Sequence, residues 1–281
     1  QGVLLPQAHD MSREWSLISG LGPTAVPVPQ ALGFCEDPED TGAWFYVMGL
    51  IDGRPLYNTE QVLAWVPEER RATLAYSFFD VLADLHSLVP DEVGLGELGK
   101  KENYVGRQLK TWCRSWNASV EPAQYDDPRA HELQQYFLDH MPEQGMARVV
   151  HGDYGLHNCL IGADSTIAAV VDWEISTLGD PLADMAYALC PWPPQLATGA
   201  PGFPPRDELA QRYAARTGRN LDKLDYYIGF NRWKSAAIVH GVYARYKVGQ
   251  KSTEGVDLDA LHGRIDQCLG WAEDAVNRLR K

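Results

Sequence analysis

The chain has no long hydrophobic run, no paired-cysteine motif and no basic, apolar leader at its start. No segment approaches the ~18 continuous apolar residues that a membrane helix needs, and the first residues do not resemble a signal peptide. The five cysteines are scattered and include no CxxC spacing: Cys35, Cys113, Cys159, Cys190 and Cys268. These absences argue against a membrane protein, a disulfide framework and a zinc site, and we expect a protein of the reducing cytoplasm.

Positive charge is also scarce. Lysines and arginines number 25 against 38 aspartates and glutamates, which gives a formal net charge of −13. A surface this acidic disfavours non-specific binding to nucleic acids and to anionic membranes. It suits a cationic substrate, although many cytoplasmic enzymes are acidic only for solubility. At 281 residues the chain can form one large domain or two lobes that share a cleft.

The most informative segment is residues 148–187. Two short apolar runs, Cys159–Ile161 and Ile167–Val171, flank four turn-like residues. Short runs rich in Val and Ile and separated by turn residues are typical of a β-hairpin. Folding the hairpin about its turn places Asn158 roughly opposite Asp172, and cross-strand Cβ atoms lie about 5 Å apart. This separation would let both side chains hold one cation.

The same segment has the spacing of a phosphoryl-transfer loop. Kinase catalytic loops follow HxDxxxxN, in which the aspartate accepts the proton of the substrate hydroxyl and the asparagine binds magnesium. A second aspartate, after the next hairpin, binds the metal that bridges the nucleotide phosphates. The pattern is matched without a gap by His151, Asp153, Asn158 and Asp172. The alternative is a buried hairpin with polar ends, and the later GDPxxD motif favours the catalytic interpretation.

Three motifs make the chain recognisable. HGDYGLHN, VVDWE and GDPLADMAY closely resemble the aminoglycoside phosphotransferase-like family, whose fold is that of a protein kinase. The resemblance extends to Pro6–Glu14, Val26–Pro29 and residues 44–53, and it is closest to the branch related to kinase domains fused to acyl-CoA dehydrogenases. It implies an α+β, protein-kinase-like, two-lobed fold. A small β-containing N-lobe, incomplete in this chain, would span residues 1–52, and a larger helical C-lobe would span 53–281.

The resemblance also implies roles for residues outside the hairpin. Glu14 matches the helix glutamate that pairs with a phosphate-binding lysine, although a solvated glutamate fits the local sequence as well. Backbone groups around Met48 and Leu50 match the hinge that binds adenine, where a plain strand end is nearly as good an interpretation. Asp184 resembles the aspartate that braces the catalytic loop. Glu174 is expected to reach the acceptor or a second metal.

Two parts of such a site are missing from the sequence. No Gly-rich loop occurs before the predicted helix that begins at Asp10, and no lysine occurs before Lys100. We expect both to lie upstream of Gln1, since the rest of the machinery is intact. The alternative is a protein that lacks them.

The periodicity of apolar residues and the positions of residues that end helices and strands predict the other elements. An antiparallel strand pair is expected at Val26–Phe34 and Trp44–Leu50, and a helix at Glu68–Leu88, in which His86 is structural. Thr177–Leu189 is expected to be helical, followed by a proline- and glycine-rich loop at Trp192–Pro205.

Two helical features leave alternatives open. Trp112 and Trp116, four residues apart, form either a core stripe or the wall of an acceptor pocket. A long helix at Leu224–Val248 carries basic residues that we expect on a solvated face, with contact to an anionic group as the alternative: Arg232, Lys234, Arg245 and Lys247.

These patterns predict an enzyme that uses ATP and Mg²⁺ to phosphorylate the hydroxyl of a small molecule. Asp153 would orient and deprotonate the hydroxyl, Asn158 and Asp172 would hold the metal, and His151 would hold the loop by packing and hydrogen bonding. The resembling branch favours a hydroxyacyl acceptor. The alternatives are an aminoglycoside antibiotic kinase and a nucleotide-binding pseudokinase with a regulatory role, which only the unseen lysine supports. We expect no nucleic-acid or membrane partner, and the sequence does not set the oligomeric state.

Overall fold

The computed structural model describes residues 11–190, 200–250 and 252–280. Most of the loop expected at Trp192–Pro205 lies outside the described residues, as does the first part of the resembling segment Pro6–Glu14.

The described chain divides into two compact units. The first contains residues 11–102 and 146–221, and the second contains residues 103–145 and those from 222 onward. The catalytic-loop motif and the Glu14 helix therefore belong to one unit. The predicted lobe boundary at residue 52 falls inside that unit and stays a prediction.

The first unit begins with a helix packed on a two-stranded sheet. Helix α1 (Met11–Leu21) is followed by the antiparallel strands β1 (Ala31–Cys35) and β2 (Phe45–Met48), with a short helix, α2 (Pro38–Thr41), between them. Trp15 of α1 stacks on Phe34 at 5.8 Å between ring centroids. The predicted strand pair is confirmed, but both strands are shorter than expected.

The first expected strand is shortened because its early residues pair elsewhere. The carbonyl of Pro27 accepts a hydrogen bond from the Val170 amide at 2.8 Å. The two prolines of Val26–Pro29 have no N–H with which to join a ladder. Regular pairing therefore starts only at Ala31, opposite Met48.

Two helices follow the strand pair in the first unit. Helix α3 (Thr59–Trp65) starts at an Asn58 cap, whose side chain accepts from the Gln61 amide. Helix α4 (Arg71–Ser87) has the predicted apolar face, with Phe78, Phe79, Leu82, Leu85 and His86 all buried. The interpretation of His86 as a structural residue is confirmed by this burial.

Two further strand pairs follow in the same unit. Strands β3 (Arg148–Val150) and β6 (Thr177–Gly179) are antiparallel, as are β4 (Cys159–Ile161) and β5 (Ile167–Val170). The expectation of a helix over all of Thr177–Leu189 is wrong at its start. Helix α7 (Pro181–Ala188) begins only after Asp180, whose carboxylate caps it by accepting from the Leu182 amide at 3.0 Å. Helix α8 (Arg206–Thr217) completes this unit.

The second unit is helical. It contains α5 (Tyr104–Ala123), α6 (Pro128–Asp139), α9 (Leu224–Lys247) and α10 (Leu258–Leu279). Trp116 is buried and stacks on His240 at 4.1 Å, which supports the core interpretation for this tryptophan. Trp112 is half-buried.

The expectation of a solvated basic face on α9 is wrong for two of its residues. Arg232 is 3% exposed and Lys234 is 7% exposed. Arg232 lies 4.4 Å from the ring centroid of Trp271, and the ammonium of Lys234 lies 5.9 Å from that of Trp112. Because this part of α9 is enclosed by neighbouring helices, these two basic side chains are stabilised next to aromatic faces instead of in water.

Within the described part of the chain, no helix combines the length and apolar character needed to cross a bilayer.

Candidate active site

The β4–β5 hairpin carries the central motif. The carbonyl of Asn158 accepts a hydrogen bond from the Val171 amide at 2.9 Å, so Asn158 lies opposite the residue before Asp172. The predicted hairpin is confirmed, and its open end brings the two polar residues to adjacent positions. Asp172 has φ +64°, a left-handed conformation that costs energy for a residue with a side chain and that recurs at functional sites.

Asp153 lies in the loop that leads into this hairpin, and both of its carboxylate oxygens have partners. Oδ1 accepts a hydrogen bond from the Tyr187 hydroxyl at 2.6 Å. Oδ2 lies 3.2 Å from Nε2 of His157 and 3.3 Å from Nδ2 of Asn158. Fixed on two sides and 38% exposed, the carboxylate is positioned but still reachable from solvent.

The surroundings of Asp153 favour its charged form. Burial tends to raise the pKa of the carboxyl, but the hydrogen bonds from His157 and Tyr187 lower it more. The pKa therefore lies below its ordinary value, and the group is a carboxylate at neutral pH. A carboxylate in this state can accept a proton.

The Asn158 and Asp172 side chains fit a magnesium ion in their donor chemistry. The Asn158 Nδ2 donates to the Asp153 carbonyl at 3.0 Å, which leaves its amide oxygen as the group available to a cation. Asp172 is exposed. Magnesium uses one or two protein oxygens together with phosphate oxygens and water. No group of three or more His, Cys, Asp or Glu side chains among the described residues is arranged to hold a metal, so nucleotide oxygens would have to complete the shell.

His151 joins the loop to the strand that ends at Asp172. Its ring is buried, and Nε2 donates to the Val171 carbonyl at 3.0 Å. The ring also packs on Trp173 at 4.7 Å between centroids. Its carbonyl accepts from the Ser176 hydroxyl at 3.1 Å. These contacts are those expected of a residue that holds the loop by packing and hydrogen bonding.

Asp184 lies beneath the same loop. It is buried, and its two carboxylate oxygens accept the backbone amides of His151 at 2.6 Å and Gly152 at 2.9 Å. Gly152 has φ +87°, and a Cβ there would lie 3.2 Å from the Ile175 side chain. The turn thus needs a glycine in order to present its amide to Asp184.

His86 belongs to the same buried hydrogen-bond network as Asp184. Its Nδ1 lies 2.7 Å from the Tyr213 hydroxyl and its Nε2 lies 3.4 Å from Asp184. Burial lowers the pKa of His86, and the nearby Asp184 raises it by less, so the net pKa is below the ordinary value. The histidine is therefore neutral in the folded protein at pH 7.

We expect this histidine to make the fold sensitive to mild acid. The unfolded chain binds a proton at His86 near pH 6.5, whereas the folded chain binds it only at lower pH. The free energy of unfolding therefore keeps its full value above about pH 6.5. It falls as the pH drops from there toward the folded-state pKa of His86. Thermal melts between pH 7.5 and 5 should show this decline, and His86→Gln should flatten part of it.

The matched control for the acid response is His140→Gln, which removes an exposed histidine at the end of α6. This variant should keep the wild-type dependence on pH. His240, whose pKa is also lowered by burial, accounts for a remaining slope in His86→Gln. A His86→Gln profile that coincides with the wild type over the whole range would contradict the assignment.

Glu14 reaches the same region from α1. Its Oε2 accepts the Tyr46 hydroxyl at 3.2 Å. Burial raises the pKa of Glu14, the Tyr46 hydrogen bond lowers it, and the charges of Asp172 and Glu174 raise it again, for a net increase. The structure thus brings Glu14 within electrostatic range of Asp172 and Glu174, and the pairing of Glu14 with a phosphate-binding lysine stays a prediction.

The whole-chain comparisons agree with this geometry. Residues 2–227 match the model of the "Phosphotransferase enzyme family". The chain belongs to this family. It is 32% identical over 267 residues to mouse acyl-CoA dehydrogenase family member 10, and 33% identical over 269 residues to chicken family member 11. Each match covers 90% of this chain but only 24% and 34% of the respective relative, so the chain spans about a quarter of one and about a third of the other.

Solved structures share the fold. A Ralstonia eutropha protein, provisionally named an aminoglycoside phosphotransferase, is 27% identical with a TM-score of 0.83, over 94% of this chain and 83% of its own. Wild-type aminoglycoside 2′-phosphotransferase-IIIa, solved with GDP, is 16% identical with a TM-score of 0.60, over 91% and 81% of the two chains. The type I macrolide 2′-phosphotransferase is 19% identical with a TM-score of 0.59, over 91% and 78%. The predicted kinase-like fold and family are confirmed.

In this phosphotransferase fold the expected hinge follows β2. Met48 ends β2 and is partly exposed, and the side chain of Leu50 is 100% exposed. The Gly49 amide between them is already bonded to the Gln30 carbonyl at 2.8 Å. The role of Met48 and Leu50 in binding adenine stays a prediction.

The sequence interpretation missed two residues that contact Asp153. His157 stands inside the catalytic motif, four residues after Asp153, but the segment is not α-helical, so this spacing did not indicate the contact. Tyr187 is 34 residues away on α7, and no local pattern points to it. Both belong to the candidate active site by distance.

Proposed function

We propose that this protein is an ATP-dependent kinase that transfers the γ-phosphate to a hydroxyl of a small molecule. The observation that carries the proposal is the ionised Asp153 carboxylate, held by Tyr187 and flanked by Asn158. A carboxylate held in this way can orient an alcohol and accept its proton as the oxygen attacks phosphorus. The family match and the phosphotransferase fold support the same reaction class.

Asn158 and Asp172 would hold magnesium in this proposal. The metal would supply positive charge against the nucleotide phosphates when bound. Asp184 and His151 would keep the loop in its shape through the backbone amides and the Val171 carbonyl. Glu174 lies in electrostatic contact with Glu14, and we keep its role near the acceptor or a second metal as a proposal.

The acceptor we propose is a hydroxyacyl compound. The curated relatives that carry an acyl-CoA dehydrogenase name are 32–33% identical over 90% of this chain. The reported structures named as aminoglycoside or macrolide phosphotransferases that share the fold are 16–27% identical. This difference favours an acyl acceptor over an antibiotic, although fold alone does not choose a substrate.

The test is a screen for phosphoryl transfer with Mg²⁺ and ATP. The protein is incubated with hydroxyacyl-CoA thioesters, aminoglycosides, sugars and choline-like amines, and both ADP release and product mass are measured. We expect a product heavier by one phosphate with a hydroxyacyl compound. Transfer to an aminoglycoside alone would contradict the proposal that the acceptor is a hydroxyacyl compound. Nucleotide binding without transfer to any class would contradict the kinase proposal and favour a pseudokinase.

A further inference from the structure

A recess of about 480 Å³ opens in the first unit beside α3. It is lined by the segment Arg54–Tyr57 and by Gln61, Ala64 and Trp65. A cavity of this volume lies within the range of small-molecule sites. None of these residues has a part in the phosphoryl transfer proposed above.

The recess presents one cation fixed on an aromatic face. The guanidinium carbon of Arg54 lies 3.6 Å from the ring centroid of Trp65. Within the described ranges, no residue accepts a hydrogen bond from this guanidinium or pairs with its charge. A stacked guanidinium keeps its in-plane donors for a bidentate anion.

Aromatic surface lies beside this cation. The side chain of Tyr57 is 59% exposed and that of Trp65 is 40% exposed. Rings left in contact with water offer apolar area to a flat ligand. The recess therefore combines charge for an anion with a surface for an apolar or aromatic body.

The recess is preformed because its first segment is bonded to the catalytic hairpin. The Arg54 amide donates to the Ile161 carbonyl at 3.1 Å, and the Ile161 amide donates back at 2.9 Å. The preceding residue, Gly53, has no Cβ, and one there would lie 3.2 Å from that same carbonyl. The Tyr57 amide is fixed by Gln61 Oε1 at 2.7 Å. A ligand would not have to order this backbone, which lowers the cost of binding.

We propose that this Arg54–Trp65 recess binds an organic anion, a phosphate or carboxylate group carried on a flat apolar body. The inference goes beyond the proposed kinase reaction and rests on none of its residues. It can hold whether or not the chain transfers phosphate.

The test measures binding in the absence of nucleotide. Phenyl phosphate, benzoate and neutral benzyl alcohol are titrated into the protein by calorimetry. We expect at least one anion to bind more tightly than the alcohol. Arg54→Gln should weaken that binding by about tenfold or more, as expected for the loss of a charged hydrogen bond. Arg114→Gln removes an exposed arginine in the second unit and should have no effect.

Further titrations identify the bound anion and its source. Tighter binding of phenyl phosphate assigns a phosphate ligand, and tighter binding of benzoate assigns a carboxylate. Displacement of the probe by ADP with Mg²⁺ would identify the nucleotide as the source, and simultaneous binding would identify a separate organic anion. Trp65→Leu removes the stacking face but not the charge, and it should also weaken the binding of the anion.

Two results would overturn the proposal. One is binding of benzyl alcohol as tight as that of both anions. The other is an Arg54→Gln variant whose affinities equal those of Arg114→Gln. Because no turnover is measured, neither result depends on the outcome of the acceptor screen.

Discussion

Asparagine in place of Asp153 should lower phosphoryl-transfer turnover by about 10²- to 10⁴-fold, the usual contribution of a positioned general base. The amide has nearly the same shape, and its oxygen can still accept from the Tyr187 hydroxyl. It cannot accept the proton of an attacking alcohol. Nucleotide affinity should stay close to that of the wild type, because the proposed metal ligands, Asn158 and Asp172, are unchanged. Steady-state kinetics and calorimetric titration of nucleotide measure the two quantities separately.

The matched control is Asp259→Asn, the same chemical change at an exposed position on α10. This variant should keep full turnover. Circular dichroism should show that both variants are folded. Wild-type turnover in Asp153→Asn, with a phosphorylated product identified by mass, would remove Asp153 from the mechanism. Loss of nucleotide affinity in parallel with turnover would show that the carboxylate acts on the nucleotide and not on the acceptor.

The hairpin and its polar end could be predicted because their determinants are local. Two β-prone runs and a four-residue turn set a register that is correct to within one residue, since Asn158 pairs with Val171 and Asp172 follows. The buried face of α4 was likewise predictable from the spacing of its apolar residues. Caps and apolar periodicity act over a few residues, so they are visible without a structure.

The β3–β6 pair could not be predicted from the same signals. Each strand has three residues, too few to show a period, and the partners are separated by the whole catalytic loop. Thr177–Gly179 also precedes a genuine helix, so its residues were assigned to that helix. The pairing is decided by tertiary contact, which overrides local propensity.

The contacts that set the pKa of Asp153 could not be predicted from local sequence either. The aspartate and Tyr187 meet only because α7 folds back against the loop. The burial of Arg232 and Lys234 is also non-local, since the tryptophans that receive them come from other helices. A sequence indicates which groups are charged, but their surroundings depend on packing.

Asp184 combines complete burial with two charged hydrogen bonds to the backbone of the catalytic loop. Burial tends to raise the pKa of its carboxyl, but the neighbouring His86, His151 and Gly152 amide lower it to below the ordinary value. The charged form is therefore stabilised in the folded state. Removing that charge leaves a buried amide donor without an acceptor, which is among the more costly single changes.

We expect Asp184→Asn to lower the free energy of unfolding by about 3 kcal/mol, the range for losing a charged hydrogen bond and leaving one buried donor unpaired. Turnover should fall as well, because the His151–Gly152 turn would no longer be held. The stabilisation from Asp184 is present above the unfolded-state pKa near 3.9 and is lost as the pH falls through the lower folded-state value. The difference between variant and wild type should therefore shrink below about pH 4.

Urea unfolding followed by tryptophan fluorescence at pH 7, pH 4 and pH 3 checks both parts of this expectation. Asp207→Asn is the control, since it makes the same change at an exposed position in the first turn of α8. The free energy of unfolding of Asp207→Asn should stay within about 0.5 kcal/mol of the wild-type value. An Asp184→Asn variant that unfolds at the same urea concentration as Asp207→Asn would show that the loop does not depend on this carboxylate. The same variant with wild-type stability but little turnover would instead make Asp184 a positioning residue whose bonds matter only during phosphoryl transfer.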